Sequence, residues 1–188
     1  EPGELFVHRN IANLVVHTDF NMLSVLQYAV EALKVRTVIV CGHYGCGAVR
    51  AALRLPHAST GLVNAWISDI RACRNAHEAE LRALLPDEDA QVERLVELNV
   101  VRQVFHVATS PVVARAWASG QRVSVYGLVY SLKDGLLRRV AAEEGLAGVA
   151  DRLGERNHDL VELGALLFLL GGADACLDES GERREHVA

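Results

Sequence analysis

Apolar positions along the chain change their spacing several times, and each change marks an element. Leu5-Phe-Val-His8-Arg9-Asn10 reads as a strand ending in a polar turn. Apolar residues at 22, 23, 25, 26, 29, 30 and 33 recur at helical spacing and predict a helix over 21–33 with one buried stripe, capped by Thr18, Asp19 or Asn21. Thr37-Val-Ile-Val40 is a β-branched run, the pattern of a buried strand. A glycine-rich turn and a helix starting over 48–53 follow. A loop over 56–61 leads to helices over 62–85, 91–107 and 112–118, broken by Pro86-Asp-Glu-Asp89 and stopped at Gly120. A strand over 123–130, a turn at Asp134-Gly135 and a helix starting over 136–142 come next. The strand–helix–strand–loop–helix order predicts an α/β fold, a mostly parallel β-sheet flanked by α-helices.

Composition narrows the partners. The chain has 188 residues, 51% of them hydrophobic and 23% charged, enough to bury a substantial core. A net charge of −5 gives no electrostatic footprint for nucleic acid or an anionic membrane, so neither is expected as a partner. The longest apolar stretch, 160–170, is interrupted by Glu162 and Gly164, is too short to span a bilayer, and reads as core or subunit interface. No leader of the charged-then-apolar kind follows Glu1, and four cysteines in a chain of this length do not make a disulfide scaffold. A reducing, cytoplasmic setting is the expectation, with thiols available to a metal.

The segment Cys41-Gly-His43-Tyr-Gly-Cys46-Gly47 carries the most chemistry. Chain leaving a strand through glycines enters a loop at the strand's carboxyl end, where open α/β sheets bind ligands. An imidazole and a thiol three positions apart suit tetrahedral zinc. On spacing alone, metal ligation by His43 and Cys46 competes evenly with a core histidine and an inert buried thiol. Cys41 continues the apolar strand and reads as a small buried hydrophobe. Cys73 and Cys176 read as structural or free thiols, with a substitute third ligand as the less favoured alternative. Gly42, Gly45 and Gly47 also suggest a phosphate cradle, a weak signal without an acidic ribose partner; close packing beside a metal is the plainer reading. His8, His17, His57, His77, His106, His158 and His186 lack ligand spacing.

Six segments in consistent order carry a resemblance. These are Glu1-Pro-Gly-Glu-Leu-Phe-Val-His-Arg-Asn-Ile-Ala-Asn13, His17-Thr-Asp-Phe-Asn21 with Cys41-Gly-His-Tyr-Gly-Cys-Gly47, Gly61-Leu-Val-Asn-Ala-Trp66, Glu97-Leu-Asn-Val100, and Tyr126-Gly-Leu-Val-Tyr-Ser-Leu-Lys-Asp-Gly-Leu136. Together they closely resemble the β-class carbonic anhydrases, as known from bacteria, over residues 1–140.

The resemblance implies a dimer-forming α/β domain over 1–140; the Ala-, Gly- and Glu-rich remainder over 141–188 does not resemble the family's usual ending and is expected to be a helical C-terminal extension whose last residues are frayed. It implies a zinc enzyme that interconverts carbon dioxide with bicarbonate and a proton, zinc-bound hydroxide being the nucleophile. His43 and Cys46 correspond to two of the family's three zinc ligands. The third is a cysteine in a Cys-x-Asp-Ser-Arg motif upstream of the Pro-Gly-Glu-Leu-Phe segment, so an N-terminally incomplete domain is expected, lacking that ligand and the Asp/Arg dyad. Arg9 and Tyr130 correspond to a pair that holds bicarbonate in an inhibitory pocket in some bacterial members. Carbon dioxide or bicarbonate and a second copy of the chain, as homodimer or homotetramer, are the partners implied. The alternative is a relative without catalysis, retained as a bicarbonate-binding or oligomerising module.

Overall fold

The computed structural model describes residues 4–55, 61–144 and 165–170, the last six by their backbone. In chain order, β1 (Leu5–Asn10) and α1 (Phe20–Gln27) are followed by β2 (Thr37–His43) and α2 (Gly47–Arg54). Three short helices come next: α3 (Leu62–Trp66), α4 (Ser68–Ala76) and α5 (Glu78–Arg82). The long α6 (Glu88–Ala108), α7 (Pro111–Ala118), β3 (Ser124–Tyr130), β4 (Leu137–Glu144) and β5 (Ala165–Leu170) complete the order.

The strands form one sheet in the order β1-β5-β2-β3-β4. All neighbouring pairs are parallel except the last, where β4 runs against β3. This agrees with the predicted α/β fold. β2 is buried over six of its seven residues, as a strand with neighbours on both edges requires. Val38 and Val40 enter the main core, while Ile39 and Cys41 pack with Leu128 on the other face.

α6 lies across the sheet, and one side chain sets how closely. A Cβ added to Gly42 would sit 2.6 Å from Val100 Cγ2, and one added to Gly127 would sit 2.9 Å from Val100 Cγ1. Val100 therefore drops into a slot formed by two glycines on adjacent strands. The same helix also buries polar groups: Gln103 Oε1 accepts from Val15 N–H at 2.9 Å, and Asn99 Nδ2 donates to the Ala12 carbonyl at 3.2 Å. These bonds hold the connection after β1, where Ala12 (φ 63°) and Asn13 (φ 48°) adopt left-handed backbone. Of the three candidate caps for α1, Asp19 is the one whose carboxylate accepts from Asn21 and Met22 N–H.

Three expectations need correction. The helix expected over 136–142 is strand β4. Leu, Arg and Ala favour helix locally, but the Gly135 turn (φ 72°) folds this segment back onto β3, and Val140 and Ala141 pack against the main core. The single helix expected over 62–85 is broken at Ile67 and His77. Side chains there capture helix carbonyls: His77 Nδ1 donates to Cys73 O at 2.9 Å, and the Arg71 guanidinium donates to Asn64 O. The extension over 141–188, expected to be helical, contributes the end of β4 and the whole of β5. A continuous apolar run of six suits helix or buried strand equally, and two parallel neighbours decide for strand. Residues 56–60 of the loop expected over 56–61, and the frayed end, lie outside the described residues.

Candidate metal centre

His43 closes β2 and stands opposite Tyr130 in the register; pairing continues one step further, with Tyr44 N–H donating to the Tyr130 carbonyl at 3.0 Å. Gly45 (φ 73°) then reverses the chain, and Cys46 occupies the position that caps α2. The seven-residue turn is therefore anchored to the sheet at one end and to a helix at the other.

The His43 ring is fixed by Nδ1, which lies 3.0 Å from the Tyr44 carbonyl oxygen. A carbonyl only accepts, so Nδ1 donates to it, which leaves Nε2 as the ring nitrogen a metal would take. Burial acts first on the Cys46 thiol and opposes ionisation. The contact with His43 and the Val49 and Ala48 N–H groups outweigh it, leaving the thiol below its ordinary value. The amides belong to the first turn of α2, whose dipole also favours negative charge.

Cys41 differs. Burial pushes its thiol up to about 11, and its Sγ–H donates to the Gly42 carbonyl at 3.5 Å. It packs with Ile39 and Leu128, the role expected for it. Cys73 is likewise buried and pushed up to about 11, with its sulfur 3.9 Å from His77 Nδ1.

Tyr44 was not singled out by spacing, yet it braces the turn. Its hydroxyl donates to Glu97 Oε1 at 2.7 Å, and Arg94 Nη1 holds the other carboxylate oxygen at 2.7 Å. Burial, with Glu97 second, pushes the Tyr44 phenol up to about 12, so it stays a donor throughout the working range. No local pattern flags a partner 53 residues away.

Arg9 and Tyr130 are not neighbours in the sheet. Arg9 pairs with Leu169 on β5, and β2 stands between β5 and β3. Three strand spacings put their backbones about 14 Å apart.

A thiol biased toward ionisation and an imidazole nitrogen, side by side, fit a borderline-soft divalent cation. Among the described residues, no third His, Cys, Asp or Glu joins them in a metal-holding group. The fold and turn define an α/β protein with a buried thiol and an imidazole side by side, a candidate metal centre, at the carboxyl edge of its sheet.

A family profile described as carbonic anhydrase matches residues 1–137. A carbonic anhydrase of Emericella nidulans is 44% identical over 138 residues, covering 73% of this chain and 59% of that protein. One from Pseudomonas aeruginosa is 35% identical, covering 77% and 64%. Among solved structures, a Coccomyxa β-carbonic anhydrase in complex with acetazolamide superposes with a TM-score of 0.72 at 44% identity, covering 76% of this chain and 64% of that one. A tetrameric β-carbonic anhydrase from Sordaria macrospora gives a TM-score of 0.69 at 34% identity, covering 76% and 72%. The chain belongs to the carbonic anhydrase family, in its β class. It spans roughly half to two thirds of the length of the curated relatives it matches.

Proposed function

We propose that this chain catalyses the reversible hydration of carbon dioxide to bicarbonate and a proton, with zinc held by His43 Nε2 and Cys46 Sγ. The observation that carries this is the prepared pair itself: a ring whose Nδ1 proton is committed to the Tyr44 carbonyl, beside a thiol biased toward thiolate at a helix N-terminus. Bound there, zinc supplies the positive charge that lowers the pKa of water from 15.7 to about 7. The protein's contribution is to hold the pair rigid. Gly42 seats the end of β2 beneath Val100, and the Tyr44–Glu97–Arg94 chain braces the turn from α6. Cys41 stays out of the site, its thiol neutral and packed in the sheet.

Self-association belongs to the same reading. Leu5, Val7 and Ile11 are each more than two-fifths exposed along and just after β1, as is Val63 on α3, while Leu62 is 91% exposed. The test combines elemental analysis with stopped-flow carbon dioxide hydration. One zinc per chain and measurable hydration are expected, both lost in His43→Ala and Cys46→Ser. A folded chain that takes up no zinc defeats the reading.

A further inference from the structure

The amino edge of the sheet carries a second concentration of charge, at the opposite end of β2 from the metal turn. Arg36 directly precedes β2, and Arg122 stands two residues before β3. The two strands pair in parallel from Thr37 and Ser124, so both arginines lie at the same edge. β2 rises about 3.3 Å per residue, which puts its far end, His43, about 20 Å away.

The backbone at this edge is fixed by its hydrogen bonds. Ser124 N–H donates to the Arg36 carbonyl at 2.9 Å, Gln121 Nε2 to the Val30 carbonyl at 2.9 Å, and Trp117 Nε1 to the Val123 carbonyl at 2.8 Å. Left-handed residues, Lys34 (φ 56°) and Gly120 (φ 79°), stop the helical segments that precede the two strands. Lys34, Arg36, Gln121 and Arg122 line a cavity of about 550 Å³ between these connections.

Three cations thus face one space in a chain whose net charge is −5. Elsewhere such groups are engaged: Arg50, Arg94 and Arg102 hold carboxylates, and Arg74 donates to the Ala52 carbonyl. Glu31, the carboxylate nearest in sequence to Lys34, is held by Arg115 at 3.1 Å and Gln27 at 2.8 Å. Among the described residues, no carboxylate pairs with Lys34, Arg36 or Arg122. Like charges brought together without counterions repel, and an anion between them relieves the repulsion. Arginine's planar fork takes phosphate oxygens two at a time, and lysine adds a point charge. Three positive charges exceed the single negative charge of bicarbonate. The volume falls in the range of small-molecule sites rather than that of a lone ion. No apolar or aromatic side chain is among the lining residues, so a nucleobase or acyl chain finds no surface there.

We propose that this cavity binds a small polyanion carrying two or more phosphoryl groups, gripped by Lys34, Arg36 and Arg122, with Gln121 holding the wall in place. The proposal stands independently of the zinc reading.

Isothermal titration calorimetry of pyrophosphate into the 188-residue chain tests it. One site per chain is expected, with an affinity that falls as salt is added. Arg36→Gln and Arg122→Gln should each weaken binding by about tenfold or more, the effect of losing a charge-assisted hydrogen bond. All three cations are exposed, so these changes leave the core untouched, as circular dichroism should verify. Arg139→Gln makes the same charge change on β4, away from the cavity, and should leave the affinity unaltered. Inorganic phosphate and bicarbonate should bind about tenfold more weakly than pyrophosphate, or worse. Phosphatidylcholine vesicles carrying a bisphosphorylated inositol lipid should not sediment the chain. On the unaltered chain, pyrophosphate should shield Arg36 and Arg122, but not Arg139, from phenylglyoxal, mapped by peptide mass spectrometry. Absence of saturable binding, equal weakening by Arg139→Gln, or unshielded Arg36 and Arg122 overturns the proposal. Bicarbonate binding as tight as pyrophosphate, or sedimentation with the vesicles, overturns its assignment to a small polyphosphorylated ligand.

Discussion

Replacing Gly42 by alanine tests whether the Val100 slot sets the seat of the metal turn. The new methyl carbon would lie 2.6 Å from Val100 Cγ2 and 3.5 Å from Val96 Cγ1, whereas carbon atoms rest at about 3.5–4.0 Å. The strand and α6 must separate by about 1 Å, or Val100 must leave its rotamer. Overpacking of this kind costs about 1–3 kcal/mol. The stiffer unfolded chain of the alanine variant returns about 0.4–1 kcal/mol, leaving a net loss of about 1–2 kcal/mol. For a chain of this size that lowers Tm by about 2–8 °C. Urea unfolding and thermal melts followed by circular dichroism measure it directly. Val100→Ala alone should also destabilise, by about 2 kcal/mol, because it empties a slot the two glycines were shaped to receive. The double variant Gly42→Ala/Val100→Ala should be more stable than the sum of the two losses by at least about 1 kcal/mol, since the offending atom has gone. Wild-type stability in Gly42→Ala, or strict additivity in the cycle, would refute the reasoning.

Two further outcomes follow from the polar contacts. The Asp69 carboxyl is opposed by burial, but hydrogen bonds from Arg102 (2.7 Å to Nη2) and Gln103 (3.0 Å) hold it below its ordinary 3.8. A depressed folded-state pKa stabilises above the unfolded value and is lost as pH falls through the folded one. Asp69→Asn should therefore cost about 1.5–3 kcal/mol near neutrality, and its gap from the parent should close below pH 3.8 in acid-unfolding curves. Asp19→Ala removes the cap of α1 and should cost about 1 kcal/mol in urea unfolding, whereas Thr18→Ala should stay within about 0.5 kcal/mol.

The strands β1, β2 and β3 were legible because their apolar runs had one consistent reading. Residues 136–142 were not, since Leu-Leu-Arg-Arg-Val-Ala-Ala satisfies helix propensity and only the hairpin with β3 overrules it. β5 was visible as an apolar run but not as a strand, because its two partners lie far upstream in the sequence. At the site, His43 and Cys46 were visible in their spacing and in the surrounding match. The Tyr44–Glu97 brace and the Val100 slot were not. A tyrosine and a valine carry no local mark of what a helix 50 residues later will place against them.

The position of β5 also sets the order in which the sheet can be assembled. Leu5 pairs with Ala165, and among the described pairings β1 has no other strand beside it. At about 5–20 residues per second, a ribosome adds the intervening 160 residues in about 8–30 s. Throughout that interval β1 and the facing edge of β2 hold unpaired amides, while the hairpin of β3 and β4 can already close. Contacts of such long sequence separation form slowly, so joining the sheet should be the late event of folding. In a nascent chain, the hydrogen-bonding edges left waiting are those on either side of the strand that arrives last.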